Sequence, residues 1–185
     1  MTEEKTEGKK AGYDISSILH EMREEYWQGL TEVEEGQEER LECVTFVLGG
    51  ETYAFETVYA SEVIRVPKLV RVPKVQEIIV GVFNLRGEIT AALDIRPFLG
   101  LPQPPLTATG RIIVVKSDTF ATGLLTEKVE GVSALSLNSF EPVVKSLAGA
   151  QREYIRGQLN VDGNLIMLLD IKKLMAAPEI VVEHK

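Results

Sequence analysis

Several kinds of residue are scarce in this chain of 185 residues, and each scarcity argues against a class of site. Cys43 is the only cysteine, which excludes a disulfide framework and a multi-cysteine metal cluster. The two histidines, His20 and His184, lie near the two ends of the chain, so we expect no histidine-based catalytic site. The apolar runs are too short to span a bilayer. Together these features favour a cytoplasmic protein.

Positive charge is also scarce. The chain has 20 Lys and Arg residues against 28 Asp and Glu, a formal net charge of -8. Residues 1–42 contain 13 acidic and 5 basic side chains, which leaves 15 of each for residues 43–185. Binding to nucleic acid or to anionic lipid needs a surplus of Lys and Arg, so we expect neither partner. A neutral body instead favours protein partners that are selected by local shape.

The first 42 residues are predicted to form an acidic extension with one amphipathic helix at about 14–30. Apolar residues follow helical spacing from Ile15 to Leu30, and Asp14 is a suitable N-cap. Residues 1–12 have no apolar period and are predicted to be disordered. Two interpretations of the helix stay open: it packs on its own domain, or it docks to a partner.

Residues 43–177 are predicted to be mainly β, followed by a tail at 178–185. The stretch VFNLRGEITAALDIRPFL, which begins at Val82, recurs in degraded form as QLNVDGNLIMLLDIKKLM, at a constant offset of 76 residues. In the same way VTFVLGGETYAF resembles RIIVVKSDTFATGLL some 67 residues later. Each repeat contains two predicted hairpins and a short helix. The proline-rich linker at about 99–110 separates the two repeated β subdomains.

The glycine in the turn of the repeated hairpin is kept, but the residue before it changes. Arg86-Gly87 becomes Asp162-Gly163 in the second repeat. Asp-Gly is among the best dipeptides for a tight hairpin turn, whereas arginine gains nothing from the turn itself. Arg86 is therefore either a solvated turn residue or a residue that holds an ion pair or contacts a partner.

Asp94 and Asp170 are the carboxylates that most suggest chemistry, since each follows a predicted strand at the same place in its repeat. Because their local positions are equivalent, we predict that each caps a short helix rather than acting in acid-base catalysis. Cys43 is predicted to be a small buried side chain. No phosphate-binding loop or dinucleotide motif occurs in the sequence. We therefore expect no enzyme, no cofactor and no metal site.

At this point the motifs resemble a known family. GVFNLRGEITAALDIRPFLGL is similar to the signature of the CheW family of chemotaxis coupling proteins, and the resemblance extends from about Cys43 to Ala176. It implies two SH3-like five-stranded β-barrel subdomains that pack side by side, with the N-terminal helix as an addition outside the family pattern. Closed barrels leave no open sheet edges, which suits the short predicted strands.

The resemblance implies a non-enzymatic adaptor. Such a protein couples the cytoplasmic hairpin tips of chemoreceptors to the regulatory domain of the histidine kinase CheA. It is recruited to receptor arrays at the membrane without inserting into the bilayer. The groove between the barrels takes the receptor tip, and separate barrel surfaces contact the kinase.

Five residues of this chain match the family's functional positions. Arg86 matches the signature arginine and Glu62 matches the acidic residue that pairs with it, which implies an ion pair beside the receptor groove. Ala60, Gly87 and Gly123 match positions that line the groove, although Ala60 is smaller than the valine that is common there.

Two other functions are compatible with this resemblance. A CheW-like scaffold could serve a pathway other than chemotaxis, such as surface motility, through the same surfaces. A CheV-like regulatory module joins a CheW-like domain to a phosphorylatable receiver, and this interpretation requires a receiver on a separate chain. We also hypothesise that the helix at about 14–30 selects the partner of the adaptor.

Overall fold

The computed structural model describes residues 39–118, 120–142, 151–178 and 180. The predicted helix at about 14–30 and all but two residues of the predicted tail at 178–185 lie outside these described residues. None of the helices in the described part of the chain is long and apolar enough to cross a membrane.

Strands dominate the described residues, as predicted. The strands are β1 (Arg40–Leu48), β2 (Glu51–Glu56), β3 (Ala60–Arg65), β4 (Ile79–Leu85), β5 (Glu88–Leu93), β6 (Arg111–Lys116), β7 (Ala121–Thr126), β8 (Lys128–Ser136), β9 (Phe140–Pro142), β10 (Ile155–Val161) and β11 (Asn164–Leu169). Two short α-helices, α1 (Gln151–Tyr154) and α2 (Ile171–Met175), flank the last hairpin. Single 3-10 turns, at Thr57–Tyr59 and Leu137–Ser139, precede β3 and β9.

The strands form two sheets. The six-stranded sheet has the order β8-β1-β2-β11-β10-β9, and the five-stranded sheet has the order β3-β6-β7-β5-β4. Most neighbouring strands are antiparallel, but β2 pairs with β11 and β5 pairs with β7 in parallel. The two parallel pairs occupy equivalent places, one in each sheet, so the internal repeat of the sequence is also a repeat of the fold.

The sheets do not correspond to the sequence repeats, which corrects the prediction that the linker at 99–110 separates two β subdomains. Each sheet contains one hairpin from each repeat: β1-β2 joins β10-β11, and β6-β7 joins β4-β5. Each sheet combines hairpins from both repeats because β5 of the first repeat pairs in parallel with β7 of the second. Parallel strands need a crossover of a dozen or more residues, which the chain between Leu93 and Arg111 provides together with β6.

The largest core cluster contains residues from both sheets, including Phe55 and Leu169 of the six-stranded sheet and Leu93 and Ile113 of the five-stranded sheet. Two smaller clusters each belong to a single sheet. Successive residues of β6 belong to different clusters. Ile112 lies in the smaller cluster of the five-stranded sheet, and Ile113 lies in the cluster that both sheets share. Burial on both faces explains why such strands read as continuous apolar runs instead of alternating.

The five-stranded sheet curls so that its two outer strands approach each other. Nη2 of Arg86, in the turn that follows β4, lies 3.0 Å from Oε2 of Glu62 in β3. Val70, which follows β3, exchanges two backbone hydrogen bonds with Val82 in β4. The two sheets confirm the mainly β class. Closure of each sheet into an SH3-like barrel stays a prediction.

Candidate functional site

The β4-β5 turn holds Arg86 in an unusual backbone conformation. The φ angles of Arg86 and Gly87 are 53° and 95°, and those of Asp162 and Gly163 in the equivalent turn are 51° and 83°. Two positive φ angles are typical of the type I′ hairpin turn. Aspartate tolerates this region because its short polar side chain bonds locally, whereas arginine has no such compensation.

A repeated asparagine completes both turns. Oδ1 of Asn84 accepts a hydrogen bond of 2.8 Å from the backbone N–H of Gly87. Oδ1 of Asn160 accepts the equivalent bond of 3.0 Å from the N–H of Gly163. The asparagine therefore recurs because it satisfies the turn backbone, and Arg86 is the one turn residue whose type the turn does not explain.

Arg86 forms an ion pair with Glu62 while staying in contact with solvent. The two side chains are 80% and 25% exposed, respectively. An exposed pair of this kind contributes only about 0.2 to 1 kcal/mol to stability. Of the two alternatives left open by the sequence, the structure favours the second, since Arg86 holds an ion pair and is not merely a solvated turn residue. The pair fixes the position of a charge more than it stabilises the fold.

The other three predicted site residues occupy different environments. Gly87 is exposed in the turn, and Ala60 is half-buried at the start of β3, opposite Val115 of β6. Gly123 is buried in β7. A methyl group at Gly123 would lie 2.7 Å from a carbon of Ile112 and 2.9 Å from the ring of Phe83, so close packing requires glycine at this position.

Strand pairing nevertheless brings Gly123 near Glu62. Val114 of β6 lies opposite Gly123 of β7 on one side and opposite Glu62 of β3 on the other. Glu62 in turn holds Arg86. Gly123, Glu62 and Arg86 therefore lie in one part of the five-stranded sheet.

Beside this region lies an open depression, which we call the apolar cleft. Its volume is about 640 Å³. Its lining comes from the turn before β3, the β6-β7 turn and helix α2, and includes Val58, Tyr59, Val115, Lys116, Ser117, Asp118, Phe120, Ile171, Lys172, Met175 and Ala176. At its rim Val58 and Phe120 are 77% and 36% exposed. A concave apolar surface of this size is suited to binding the side chains of a partner.

The structure also contains a buried ionic cluster that the sequence analysis did not identify. Nη2 of Arg96 donates to Oδ2 of Asp94 at 2.7 Å, and Nη1 of Arg96 donates to Oε1 of Glu127 at 3.0 Å. Arg96 is only 6% exposed. The hydrogen bond to Asp94, followed by the bond to Glu127 and the two charges, raises the pKa of Arg96 despite its burial.

This cluster connects distant parts of the chain. The carbonyl of Pro104 accepts a second bond from Nη1 of Arg96. The carboxylate of Glu127 accepts from the N–H groups of Gly49 and Gly50 in the β1-β2 turn, at 2.8 and 3.3 Å. The linker, the first hairpin turn and the junction between β7 and β8 are thus joined through one guanidinium. The sequence feature that could have revealed this cluster is the change from LDIRPF in the first repeat to LDIKKL in the second.

The capping prediction was right for one aspartate and wrong for the other. Asp170 is the N-cap of α2, and its Oδ1 accepts from the N–H of Lys173. The residues after Asp94 form a single turn instead of a helix, which ends at Gly100 with a φ of 67°. Both oxygens of Asp94 bind Arg96, including its backbone N–H. The ion pair therefore replaces the helix cap.

The described residues contain no group of acidic, histidine or cysteine side chains that could hold a metal ion. Cys43 is fully buried, as predicted. Desolvation, aided by the charge of Glu56 and opposed by that of Arg156, raises the pKa of its thiol to about 11. The thiol is therefore neutral and unreactive at ordinary pH. The exposed ion pair and the apolar cleft are arrangements suited to binding rather than to catalysis.

Comparison with known proteins agrees with this architecture. Residues 42–179 match the family model described as "CheW-like domain". "Chemotaxis protein CheW" of Treponema pallidum (strain Nichols) is 24% identical over 147 residues, which cover 77% of this chain and 86% of that protein. "Probable chemotaxis protein CheW" of Rhizobium etli is 28% identical over 101 residues, or 55% of this chain and 65% of that protein.

A solved structure has the same fold. The crystal structure of the scaffolding protein TtCheW from Thermoanaerobacter tengcongensis superimposes with a TM-score of 0.68 and 24% identity. The match covers 76% of this chain and 96% of that one. The residues that match the family model begin at 42, within β1.

Proposed function

Since the chain belongs to the family of CheW-like domains, we propose that it is a non-enzymatic adaptor of chemotaxis signalling. In this proposal it couples the cytoplasmic hairpin tips of chemoreceptors to the regulatory domain of the histidine kinase CheA. It acts in the cytoplasm and is recruited to receptor arrays at the membrane. The names of the two relatives described above, both chemotaxis proteins, support the pathway.

The observation that carries the proposal is the conformation of Arg86. The turn that contains it favours aspartate or asparagine, and the second repeat has aspartate there. The ion pair with Glu62 is too exposed to stabilise the fold enough to offset the unfavourable turn conformation of Arg86. A residue that benefits neither its turn nor the fold is best explained by a contact outside the molecule.

The surface proposed for the receptor follows from the same geometry. Glu62 fixes the guanidinium of Arg86 beside the exposed Gly87, which has no side chain to obstruct a helix tip. Ala60, two residues before Glu62 in β3, is also small and only half-buried. Gly123 contributes indirectly, because it allows Phe83 to pack beneath the sheet. The proposed contact is therefore a shallow surface with one positioned positive charge.

The proposal is tested by titrating the full chain with a receptor hairpin-tip fragment and, separately, with the kinase regulatory domain. We expect Arg86→Ala to weaken receptor binding severalfold, because a positioned charge is lost from the contact. Kinase binding and the melting temperature should change little, since the ion pair is exposed. Isothermal calorimetry and thermal melts give the three readouts.

Asp162→Ala is the matched control, since it alters the equivalent turn in the other sheet. It should leave receptor affinity unchanged. The proposal for Arg86 fails if the two variants affect receptor binding equally. The coupling function fails if the natural chain binds neither fragment.

A further inference from the structure

The apolar cleft has a counterpart elsewhere in the molecule, because the fold repeats. The β6-β7 turn corresponds to the β1-β2 turn, and the residues of α2 correspond to those after β5. The 3-10 turn Thr57–Tyr59, which joins β2 to β3, corresponds to Glu127, which joins β7 to β8. The counterpart of the apolar cleft is therefore the site of the buried Arg96 cluster.

The chain itself closes that counterpart. Leu101 and Pro102 pack so closely on Gly49 that a methyl group there would lie 2.9 Å from Cβ of Leu101. Glu127 supplies the carboxylate that meets Arg96. The counterpart is thus filled by a segment of the chain that contains a leucine side chain, accompanied by an acidic group.

Among the residues that the structure describes, the apolar cleft has no equivalent of Leu101 or Glu127. Lys172 replaces Arg96, and Ala177 replaces Leu101, at the offset of 76 residues. Val58 and Tyr59 occupy the junction where the other site has Glu127. In the part of the chain that the structure describes, the equivalent site is therefore open and has a positive charge at its rim.

The charge at the rim is available for a ligand. Lys116 and Lys172 are exposed, and neither side-chain ammonium group has a hydrogen-bond or ion-pair partner among the residues that the structure describes. Asp118 is the single acidic residue in the lining. The nearby carboxylate of Glu56 is already paired with Arg156. The rim therefore favours a ligand that carries negative charge.

We propose that the apolar cleft is a docking site for a segment of a partner protein that carries leucine-sized apolar side chains and a carboxylate. The apolar side chains would cover Tyr59, Ile171 and Met175, as Leu101 covers the counterpart. The carboxylate would meet Lys172, as Glu127 meets Arg96. This site goes beyond the proposed coupling function and does not depend on it, since its lining does not include Arg86.

The test uses a peptide that copies the chain's own filling segment. The peptide acetyl-Glu-Gly-Leu-Pro-Gln-Pro-Pro-Leu-amide reproduces residues 100–106 behind a glutamate. Titration into the isotopically labelled full chain should shift the amide signals of Lys116, Phe120 and Lys172. A twin peptide with glutamine in place of the glutamate should bind about two- to fivefold more weakly, because an exposed ion pair is lost.

Two pairs of variants locate the site. Lys172→Glu should weaken binding of the glutamate peptide, whereas Lys173→Glu should not, since Lys173 lies outside the cleft and close to Glu153. Val58→Glu should abolish binding, whereas Val132→Glu should leave it unchanged, because Val132 is similarly exposed but lies on β8. Thermal melts of all four variants confirm that they are folded.

Three results would overturn the proposal. They are an absence of binding at millimolar peptide, signal shifts that lie away from the cleft, and equal effects of the Lys172 and Lys173 variants. Equal binding of the two peptides would show that the cleft accepts apolar segments without regard to charge. That outcome contradicts the role assigned to Lys172.

Discussion

At the scale of single residues, two side chains illustrate opposite relations to stability. Arg86 has a φ of 53° and an exposed ion pair, so replacing it should cost the fold little. Cys43 is fully buried in a small cluster of one sheet, with Leu159 and Leu168 among its members. Its contribution to stability depends on the thiol staying protonated, since a buried thiolate is poorly solvated.

The stability of the protein should therefore fall as the pH rises from about 9 to about 11. The ordinary pKa of the thiol is 9.0 and the folded value is about 11, so in this window the unfolded state releases the proton and is favoured. The loss is on the order of 2 kcal/mol. Urea titrations at pH 8 and pH 11 measure it.

Cys43→Ala provides the comparison for this prediction. Burial and the bond to Glu51 also raise the pKa of Tyr53, so both proteins lose stability above pH 10. The decline attributable to Cys43 is the difference between the two curves. Parallel curves over the whole range would show that the thiol does not titrate with unfolding.

At the scale of elements, the Arg96 cluster determines how the linker and the first hairpin meet. One guanidinium binds the carboxylates of Asp94 and Glu127 and the carbonyl of Pro104. Glu127 in turn accepts a hydrogen bond from a backbone N–H of the β1-β2 turn. A buried charge with several partners is costly to disturb, because removal of one leaves the others without compensation.

Arg96→Met should lower the free energy of unfolding by about 3 to 5 kcal/mol, since it leaves Asp94 buried without its cation. The equivalent change, Lys172→Met, removes an exposed side chain and should alter stability by less than about 0.5 kcal/mol. Chemical denaturation at pH 7 compares the two. Similar midpoints for both variants would mean that the cluster contributes little.

At the scale of the whole molecule, the exchange of hairpins makes each repeat depend on the other. β2 requires β11 from the second repeat, and β7 requires β5 from the first. The shared core cluster contains residues of both sheets, including Phe55 and Leu93. Neither repeat alone has the partner strands that cover its apolar faces.

The fragments 1–105 and 106–185 should each be unfolded when they are separate. Their equimolar mixture should regain the spectrum of the intact chain, because both parallel pairs can then form. Circular dichroism and amide NMR spectra of the fragments and the mixture provide the test. A cooperative melt of fragment 1–105 alone would show that one repeat is autonomous.

The sequence alone predicted the elements whose cause is local. The mainly β texture, the strands on either side of Arg86-Gly87, the cap at Asp170 and the buried Cys43 all follow from side-chain patterns over a few residues. The repeat with an offset of 76 residues also showed that two equivalent units exist. These local patterns span only a few residues, so they are recognised without knowing which strands pair.

Only the tertiary structure decided how those units combine. Parallel pairing of β5 with β7 joins strands that are distant in sequence, and periodicity within a strand does not specify its neighbour. The same holds for Arg96, whose partner Glu127 is 31 residues away, and for the open cleft beside Lys172. The sequence determined the repeated parts, and long-range packing determined which copy was closed by its own chain and which is open among the described residues.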